Sequence, residues 1–381
     1  MSLTSTAPEP EVAQPVPIKR LLSLDTLRGF DMFWIMGGDE IFYALAKTTS
    51  WSWALVMADQ FTHPDWNGFR FYDLIFPLFL FMAGVSTPFS LDGRIARGEE
   101  KSKLARKIIS RGIILVLLGI IYNNGLFAKS LDEMRFGSVL GRIGLAGMFA
   151  QLIYLYAGKR ASYVWFVVIL LGYWAAMMLI PVPGCGAGVL TLECSLAGYV
   201  DRLLMPGKLY LTVHDPEGLL STIPAICNAL LGIYAGTVLK NQSQTSSKKI
   251  FHLVGLGFAF IGLSLIWDTV FPINKNLWTS SFVCVTGGCS LLLLSMFYWI
   301  IDVKGFKKWT ILFTVIGMNS ILIYLSVLVI SFEHASEFFF GGLIEQLSSV
   351  PVKAVLTVLG MILMKWLFLY FLYTKKVFLR V

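Results

Sequence analysis

The chain has 381 residues, of which 56% are apolar and only 14% are charged. Ordinary soluble domains carry about 25% charged residues, so this composition excludes a soluble enzyme, a disordered chain and a disulfide scaffold. The formal net charge is +8, which in a membrane protein reflects the orientation of its loops rather than affinity for nucleic acid. The sequence therefore predicts an all-α, polytopic membrane protein.

The chain begins with residues 1–18, which are rich in Pro, Ser and Thr and are predicted to be a disordered tail without the features of a signal peptide. Residues 19–381 are predicted to form a single transmembrane domain. A helix needs about 20 mostly apolar residues to cross a bilayer. About ten segments satisfy this requirement, at 23–46, 71–91, 107–126, 139–157, 161–181, 219–239, 250–271, 279–301, 309–331 and 353–374.

The positive charges predict the orientation of these spans. If the N-terminus is cytoplasmic, 20 of the 31 Lys and Arg residues fall in cytoplasmic segments, 8 on the opposite side and 3 within spans. This distribution follows the positive-inside rule, so both termini are predicted to be cytoplasmic. The longest connection, about 182–218, is then extracytoplasmic. Its Cys185 and Cys194 are expected either to form a local disulfide or to remain free thiols.

Charged side chains within the first span need an explanation, because burying a charge in a bilayer is costly. Asp25 and Arg28 are three residues apart, so they share a helix face and can form a structural ion pair. Alternatively, Arg28 meets an anionic group of a ligand. Asp39 lies three turns beyond Arg28, near the predicted outer end of the span.

The segment 61–77, FTHPDWNGFRFYDLIFP, contains a histidine at the start of an apolar helix. Imidazole suits proton transfer near neutral pH and can itself be acylated. Asp65, Asn67 and Asp73 are candidate partners for His63. The alternative is a structural or solvated histidine at the membrane interface.

Further polar residues mark the sixth span and two other apolar segments. Asp215 and Glu217 lie at the outer mouth of segment 219–239, where they also suit the start of a helix. Arg142 and Asn319 are polar residues in otherwise apolar spans, hence functional candidates, although Asn319 equally suits a hydrogen bond between helices. The sequence shows no metal-ligand spacing, and no metal is expected.

Several motifs together resemble a known family. They are SLDTLRGF, then HPDWNG followed by DLIFPLFLFMAG, then RIGL, the stretch from GYVDRLL to HDPEGLLSTI, and IGMNSILIY. The chain resembles the transmembrane acyltransferase family that includes heparan-alpha-glucosaminide N-acetyltransferase and bacterial NagX-like proteins. The resemblance implies transfer of an acetyl group from cytoplasmic acetyl-CoA to an amino sugar on the opposite side. It places the family's active-site histidine at His63, and it aligns Asp39 with an asparagine of the human enzyme, which leaves the acceptor open.

This resemblance gives each candidate an expected role. His63 removes a proton from the acceptor amine or carries the acetyl group itself. Asp39 or Asp65 orients the imidazole, and Asn67 donates to the oxyanion. The residues expected to bind the acceptor are Glu217, Asp215, Trp66 and Asp73. Those expected at the CoA site are Arg28, Arg142, Asp25 and Asn319, together with the basic segment 94–111.

Other interpretations of the sequence remain open. One is a secondary transporter of a sugar or amine, whose intramembrane charges form a pathway. Another is an O-acyltransferase that acts on a lipid or polysaccharide. The expected partners are the lipid bilayer, acetyl-CoA and an amino sugar or glycan, with a homodimer by analogy only. A bacterial inner membrane is the expected location.

Overall fold

The computed structural model describes residues 21–125 and 129–379, and this part of the chain is mostly helical and contains no β-strand. The predicted tail, residues 1–18, lies outside the described residues. In chain order the first helices are α1 (Leu22–Phe33), α2 (Glu40–Thr48), α3 (Ser52–Gln60), α4 (Tyr72–Ala96), α5 (Lys101–Asn124), α6 (Val139–Leu179) and α7 (Leu196–Leu204). The later helices are α8 (Leu219–Lys240), α9 (Ser246–Asp268), α10 (Ser280–Phe297), α11 (Thr310–Met318), α12 (Ser320–Ser326), α13 (Phe332–Ser336), α14 (Gly342–Glu345) and α15 (Val350–Thr374).

Within the described ranges, 6 helices are long and apolar enough to cross a membrane. They are α4, α6, α8, α9, α15 and α10 with its π-helical extension to Val303. Helices α4, α8 and α10 are mostly buried, whereas only about a fifth of an apolar 18-residue stretch in each of α6, α9 and α15 is buried. Apolar helices that are exposed on a bundle suit contact with lipid. The bundle thus has an inner layer of α4, α8 and α10.

The other predicted spans correspond to interrupted or partly basic helices. Segment 23–46 is divided between α1 and α2, because Gly37 has a φ of 118° inside the π-helical turn Trp34–Gly38. Segment 309–331 is divided between α11 and α12 at Asn319. Helix α5 begins with basic turns, so its apolar stretch is shorter than the helix. The number of about ten spans and the location of the termini stay predictions.

Helix α6 extends over two predicted spans, 139–157 and 161–181. It has 41 residues, and a straight helix of that length would measure about 60 Å, twice the hydrocarbon thickness of a bilayer. Gly158 interrupts it with φ 78° and ψ 179°. The interruption falls where the sequence predicts the connection between the two spans.

Glycines bring the backbones of α4 and α8 into contact. A Cβ atom added to Gly84 would lie 2.0 Å from the carbonyl oxygen of Ala229. One added to Gly232 would lie 2.0 Å from the carbonyl oxygen of Phe81. Small residues allow such close packing in membranes, where van der Waals contact drives helix association. This contact fixes α4, the helix on which the site described below depends.

We expect Gly232→Ala to destabilise the protein, because its new methyl group would overlap the backbone of α4. Overpacking of this kind costs about 1–3 kcal/mol. The thermal unfolding midpoint of the purified protein in detergent should therefore fall. Gly172→Ala is the matched control, since Gly172 is exposed on α6 and an added Cβ meets nothing within 4 Å. Equal midpoints for the two variants would contradict the proposed backbone contact.

Candidate active site

A cavity of about 350 Å³ lies near the start of α4, at the end of the bundle predicted to be extracytoplasmic. Its walls come from parts of the chain that are far apart in sequence. The polar and aromatic lining residues include His63, Asp73, Arg135, Glu217, Lys275 and Tyr324. A cavity with a few convergent polar groups is the usual form of a small-molecule site.

His63 lies in the loop between α3 and α4, and several contacts hold this loop in place. Gly68 has a φ of 126°, which favours glycine, and its N–H donates to the carbonyl oxygen of Ile273 at 2.8 Å. The guanidinium of Arg70 donates to the carbonyl oxygen of His63 at 3.1 Å and lies 3.1 Å from the carboxylate of Asp59. The loop that carries His63 is therefore held by the backbone of Ile273 and by the side chain of Arg70.

The imidazole of His63 is paired with the carboxylate of Asp73, which is fully buried in the first turn of α4. Nδ1 of His63 lies 2.7 Å from Oδ1 of Asp73, and the N–H of Arg70 donates to Oδ2 at 3.0 Å. A carboxylate at Nδ1 holds the ring proton there and leaves the lone pair on Nε2. The His63 side chain is 47% exposed, so the imidazole is open to a substrate in the cavity.

Lys275 also contacts this pair, although it lies in the distant loop between α9 and α10. Its Nζ is 2.9 Å from Nε2 and 3.3 Å from Nδ1 of His63, and 3.5 Å from Oδ1 of Asp73. Burial lowers the pKa of the Lys275 ammonium below its usual value, and the charge of Asp73 opposes this shift. In the sequence this lysine counts only as an extracytoplasmic charge. The one local signal is its place between Asn274 and Asn276, in a short polar break between apolar spans.

The acids predicted to orient His63 lie elsewhere. Asp39 interacts with the side chain of Tyr72, whose ring centroid is 5.2 Å from that of His63, and not with the imidazole itself. Asp65 is exposed. The orienting carboxylate belongs instead to Asp73, because the first turn of α4 faces the loop that carries the histidine. Asp73 was predicted both as a candidate partner of His63 and as an acceptor-binding residue, and the structure pairs it with the imidazole.

Asn67, predicted to donate to the oxyanion, connects two loops. Its Oδ1 accepts a hydrogen bond of 3.0 Å from Nδ2 of Asn274, which also donates to the carbonyl oxygen of Trp66 at 2.9 Å. The side chain of Trp66 lines the cavity, and its Nε1 donates to the carbonyl oxygen of Leu190 at 2.8 Å. These bonds tie the loop of His63 to the loop of Lys275.

The long connection between α6 and α8 contains a disulfide bond between Cys185 and Cys194. The closed segment includes Leu190, which binds the indole of Trp66. Of the two alternatives that the sequence left open, the structure contains the bonded cysteines. The disulfide therefore restrains the segment that contains Leu190, and with it the hydrogen bond that holds Trp66 in the cavity wall.

His214 lies behind this wall and is fully buried. Its ring centroid is 6.0 Å from that of Trp66, and its Nε2 lies 3.1 Å from the carbonyl oxygen of Asn276. Burial lowers the pKa of His214 to about 4, so this imidazole is neutral near pH 7. Its role is to pack the wall, and His63 is the histidine that faces the cavity.

Arg135, which the sequence did not single out, organises the opposite wall. Its Nε and Nη2 donate to the two carboxylate oxygens of Asp215 at 3.0 and 2.8 Å, and Nη2 also bonds to Glu217. Burial by itself would raise the pKa of Asp215, but Arg135 outweighs it and holds that pKa below its usual value. Asp215 is therefore a buried structural anion. Glu217 shares the guanidinium of Arg135 with Asp215, and it also lines the cavity.

Arg142, predicted to bind CoA phosphates, is buried against the start of α8. Its Nε donates to Oγ1 of Thr222 at 3.3 Å, it also bonds to Ser221, and its guanidinium lies 4.7 Å from the ring centroid of Trp278. The predicted contact with a phosphate does not fit this position. The rotation of α6 about its axis explains the difference. The next residue, Ile143, faces a second cavity, and Arg142 does not.

That second cavity, of about 540 Å³, extends along the same helices. Nη2 of Arg28 donates to Oγ of Ser86 at 3.1 Å, and Nη1 lies 3.5 Å from Asp25. The cavity thus combines two guanidinium groups with hydroxyl and amide groups. Its polar lining includes Arg28, Ser86, Ser90, Arg111 and Gln151.

Asn319, predicted at the CoA site, is occupied by the backbone of the C-terminal segment. Its Nδ2 donates to the carbonyl oxygen of Val377 at 2.9 Å, and its Oδ1 accepts from the N–H of Leu379 at 3.0 Å. Leu379 lines the second cavity. Asn319 therefore supports the cavity wall through Leu379, and its amide is already satisfied.

These features define an integral membrane protein whose helical bundle contains an imidazole–carboxylate pair at a polar cavity. No family model matches the chain. Over 363 residues the chain is 30% identical to human heparan-alpha-glucosaminide N-acetyltransferase. The alignment covers 80% of this chain and 52% of the human protein. The mouse protein of the same name is 30% identical over 364 residues, with 80% and 53% covered. The chain is a relative of the heparan-alpha-glucosaminide N-acetyltransferase family, as its motifs predicted, and it spans about half the length of the curated relatives it matches.

We expect Arg135→Met to be strongly destabilising, because it leaves the buried carboxylate of Asp215 without its cation. Removing one partner of a buried ion pair costs about 3–5 kcal/mol. The control is Arg202→Met, since Arg202 is exposed and donates to the carbonyl oxygen of Val213. Thermal unfolding in detergent at pH 7 should separate the two variants clearly. A loss for Arg135→Met no larger than that for Arg202→Met would show that Arg135 does not stabilise Asp215.

Proposed function

We propose that the protein is an acetyltransferase that moves the acetyl group of cytoplasmic acetyl-CoA to an amino sugar on the extracytoplasmic side. The arrangement of the two cavities along shared helices carries this proposal. Helix α4 lines the first cavity with Phe76 and the second with Phe79, and α6 contributes Val139 and Ile143 in the same order. Residues three or four apart lie one turn apart on one face. A long donor in the second cavity would therefore extend toward His63.

The second cavity suits the donor. Coenzyme A has phosphate groups and a narrow, flexible arm that ends in the thioester. Arginine binds phosphate through paired hydrogen bonds, and Arg28 and Arg111 both line this cavity. Arg111 belongs to the basic segment 94–111, which the charge distribution predicts to be cytoplasmic. Together these features support entry of the donor from that side.

The first cavity suits an acceptor that carries an amine and hydroxyl groups. Glu217 places an acid in its wall, and a carboxylate attracts an ammonium group. Trp66 and Tyr210 add aromatic surfaces, which suit the apolar face of a sugar or a cation. The name of the human and mouse relatives refers to a glucosaminide, so a terminal glucosamine is the first acceptor to test.

Nε2 of His63 is the reactive atom in the proposed mechanism. In direct transfer, the acceptor nitrogen attacks the thioester carbon, Nε2 takes the proton from that nitrogen, and the C–S bond breaks. The proton then passes to the departing CoA thiolate. In the two-step route, Nε2 attacks the thioester carbon first, the C–S bond breaks and CoA leaves as the thiolate. The acceptor nitrogen then attacks the acetyl carbon, the bond from that carbon to Nε2 breaks, and Nε2 takes the proton from the amine before it passes to the thiolate or to water. In both routes Asp73 stabilises the positive charge that develops on the imidazole.

We expect the purified protein to transfer radiolabelled acetyl from acetyl-CoA to glucosamine, and His63→Ala to abolish this activity. General base catalysis contributes about 100- to 10,000-fold in rate, so the variant should lose at least about 100-fold. His334→Ala is the matched control, because His334 is exposed and contacts Ser331 through its side chain. Label in the N-acetyl product is the measurement.

The product that carries the label, together with a transport assay, separates the remaining alternatives. Transport of glucosamine into proteoliposomes without acetylation would overturn the proposal in favour of a carrier. Label on a lipid or polysaccharide hydroxyl, and none on an amine, would indicate an O-acyltransferase. If the amine is labelled, mass spectrometry of His63 after mixing with acetyl-CoA alone distinguishes a two-step route from direct transfer.

We expect Arg28→Met and Arg111→Met to raise the KM for acetyl-CoA. Hydrogen bonds to charged groups contribute about 1.5–3 kcal/mol, which corresponds to roughly a 10- to 150-fold change. Acetyl-pantetheine lacks the nucleotide phosphates, so its KM should be nearly the same in wild type and variants. Steady-state kinetics with both donors makes the comparison. An equal rise for the two donors would place the phosphates elsewhere.

A further inference from the structure

We propose that Lys275 is a catalytic residue whose ammonium group stabilises the oxyanion formed on the acetyl carbonyl during transfer. This inference rests on the proposed acetyl transfer at His63. It assigns to Lys275 the role that the sequence suggested for Asn67.

The position of Lys275 leaves the reactive nitrogen accessible. Its Nζ contacts both ring nitrogens of His63, at 2.9 and 3.3 Å. The in-plane directions of the two nitrogens diverge, so an atom close to both cannot lie along the lone pair of either. The ammonium therefore lies beside the ring. The lone pair of Nε2 remains directed away from it, toward an incoming acyl carbon or amine proton.

The same position places the charge close to the reacting carbonyl. A donor that stabilises an oxyanion must reach about 2.7–3.1 Å from that oxygen. An acyl carbon that reacts at Nε2 carries its oxygen one bond further away, which is within reach of an ammonium 2.9 Å from Nε2. As the tetrahedral intermediate forms, negative charge develops on this oxygen, and Lys275 would hold it without any rearrangement of the loop.

The loop of Lys275 is fixed before the reaction begins. Oδ1 of Asn274 accepts from the N–H of Leu277 at 2.8 Å, and the N–H of Asn274 donates to Oγ1 of Thr279 at 3.0 Å. Nδ2 of Asn274 donates to the carbonyl oxygen of Trp66 in the loop of His63. A preorganised charge in a site shielded from water stabilises a transition state more than a mobile one does. Asn67, by contrast, is exposed and bonded to Asn274.

Charges of both signs lie near the ammonium of Lys275. Asp73 from α4 lies 3.5 Å from Nζ and is shared with Nδ1 of His63. Glu217, from the loop before α8, adds a second negative charge, and Arg142 of α6 opposes it. A cation at this point also disfavours the ammonium form of the acceptor. The nucleophilic, neutral amine is the form that the site would then favour.

The test compares Lys275→Met and Lys275→Arg with wild type, with Lys208→Met as the matched control because Lys208 is an exposed extracytoplasmic lysine. Loss of one oxyanion donor costs about 100- to 1,000-fold in kcat. We therefore expect kcat of Lys275→Met to fall about 100-fold or more, with little change in either KM. Lys275→Arg should recover part of this loss, because it keeps the charge. Equal unfolding midpoints confirm that the variants are folded.

The pH dependence of kcat gives an independent readout. Activity that needs the ammonium must fall as pH rises through the pKa of Lys275, which burial sets below its usual value. This alkaline fall should be present in wild type and in Lys208→Met. It should move to higher pH in Lys275→Arg, because a guanidinium stays protonated. In Lys275→Met the remaining activity should show no such fall.

Two results would overturn the inference while leaving the proposed function intact. One is an active wild type together with Lys275→Met at an unchanged kcat. The other is a loss in Lys275→Met that appears only in the KM of the acceptor, with the alkaline fall retained, which would make Lys275 a binding or structural residue. Absence of acetyl transfer in wild type itself would instead refute the proposed function.

Discussion

The buried carboxylate of Asp73 is the constraint on which the rest of the site depends. An ionised carboxylate without water needs donors and positive charge around it. Asp73 obtains them from the start of α4, where the helix dipole favours an anion, and from the N–H of Arg70, the imidazole of His63 and the ammonium of Lys275. Arg70 and His63 belong to the loop before α4, and Lys275 belongs to the loop between α9 and α10. The hydrogen bonds and ion pairs of this one carboxylate therefore bring the imidazole of His63 and the ammonium of Lys275 together.

Helix α4 transmits this arrangement to the interior of the bundle. Its first turn carries Asp73, its next turns line both cavities with Phe76 and Phe79, and Ser86 further along contacts Arg28. The close backbone contact at Gly84 keeps the helix fixed against α8. In the proposed reaction, a rigid helix that borders both cavities would set the distance between a bound donor and the imidazole. Positioning of this kind supplies much of the rate of a group transfer.

Charges around the cavity that contains His63 are arranged in groups of opposite sign or are hydrogen-bonded. Arg135 holds Asp215 with two hydrogen bonds and leaves Glu217 facing the cavity. Arg142 lies over the ring of Trp278 and bonds to hydroxyl groups of α8. Isolated charges would be too costly in this low-dielectric region. Because these charges are paired or hydrogen-bonded, the walls of the cavity can be polar within the bundle.

The sequence by itself determined the class of the protein, most of the helices and the segment that carries the site. Apolar stretches and turn residues are local signals. His63 and Asp73 lie in one motif, where Asp73 was one of three candidate partners of the imidazole, and the sequence did not decide among them. Only the tertiary structure decided that Lys275 contacts the histidine from 212 residues away, that Arg135 neutralises Asp215, and that Arg142 faces α8 rather than the second cavity. Which side chains meet depends on how each helix is rotated and packed against its neighbours. Close contacts between distant segments set that rotation, and no local pattern of hydropathy or charge encodes it.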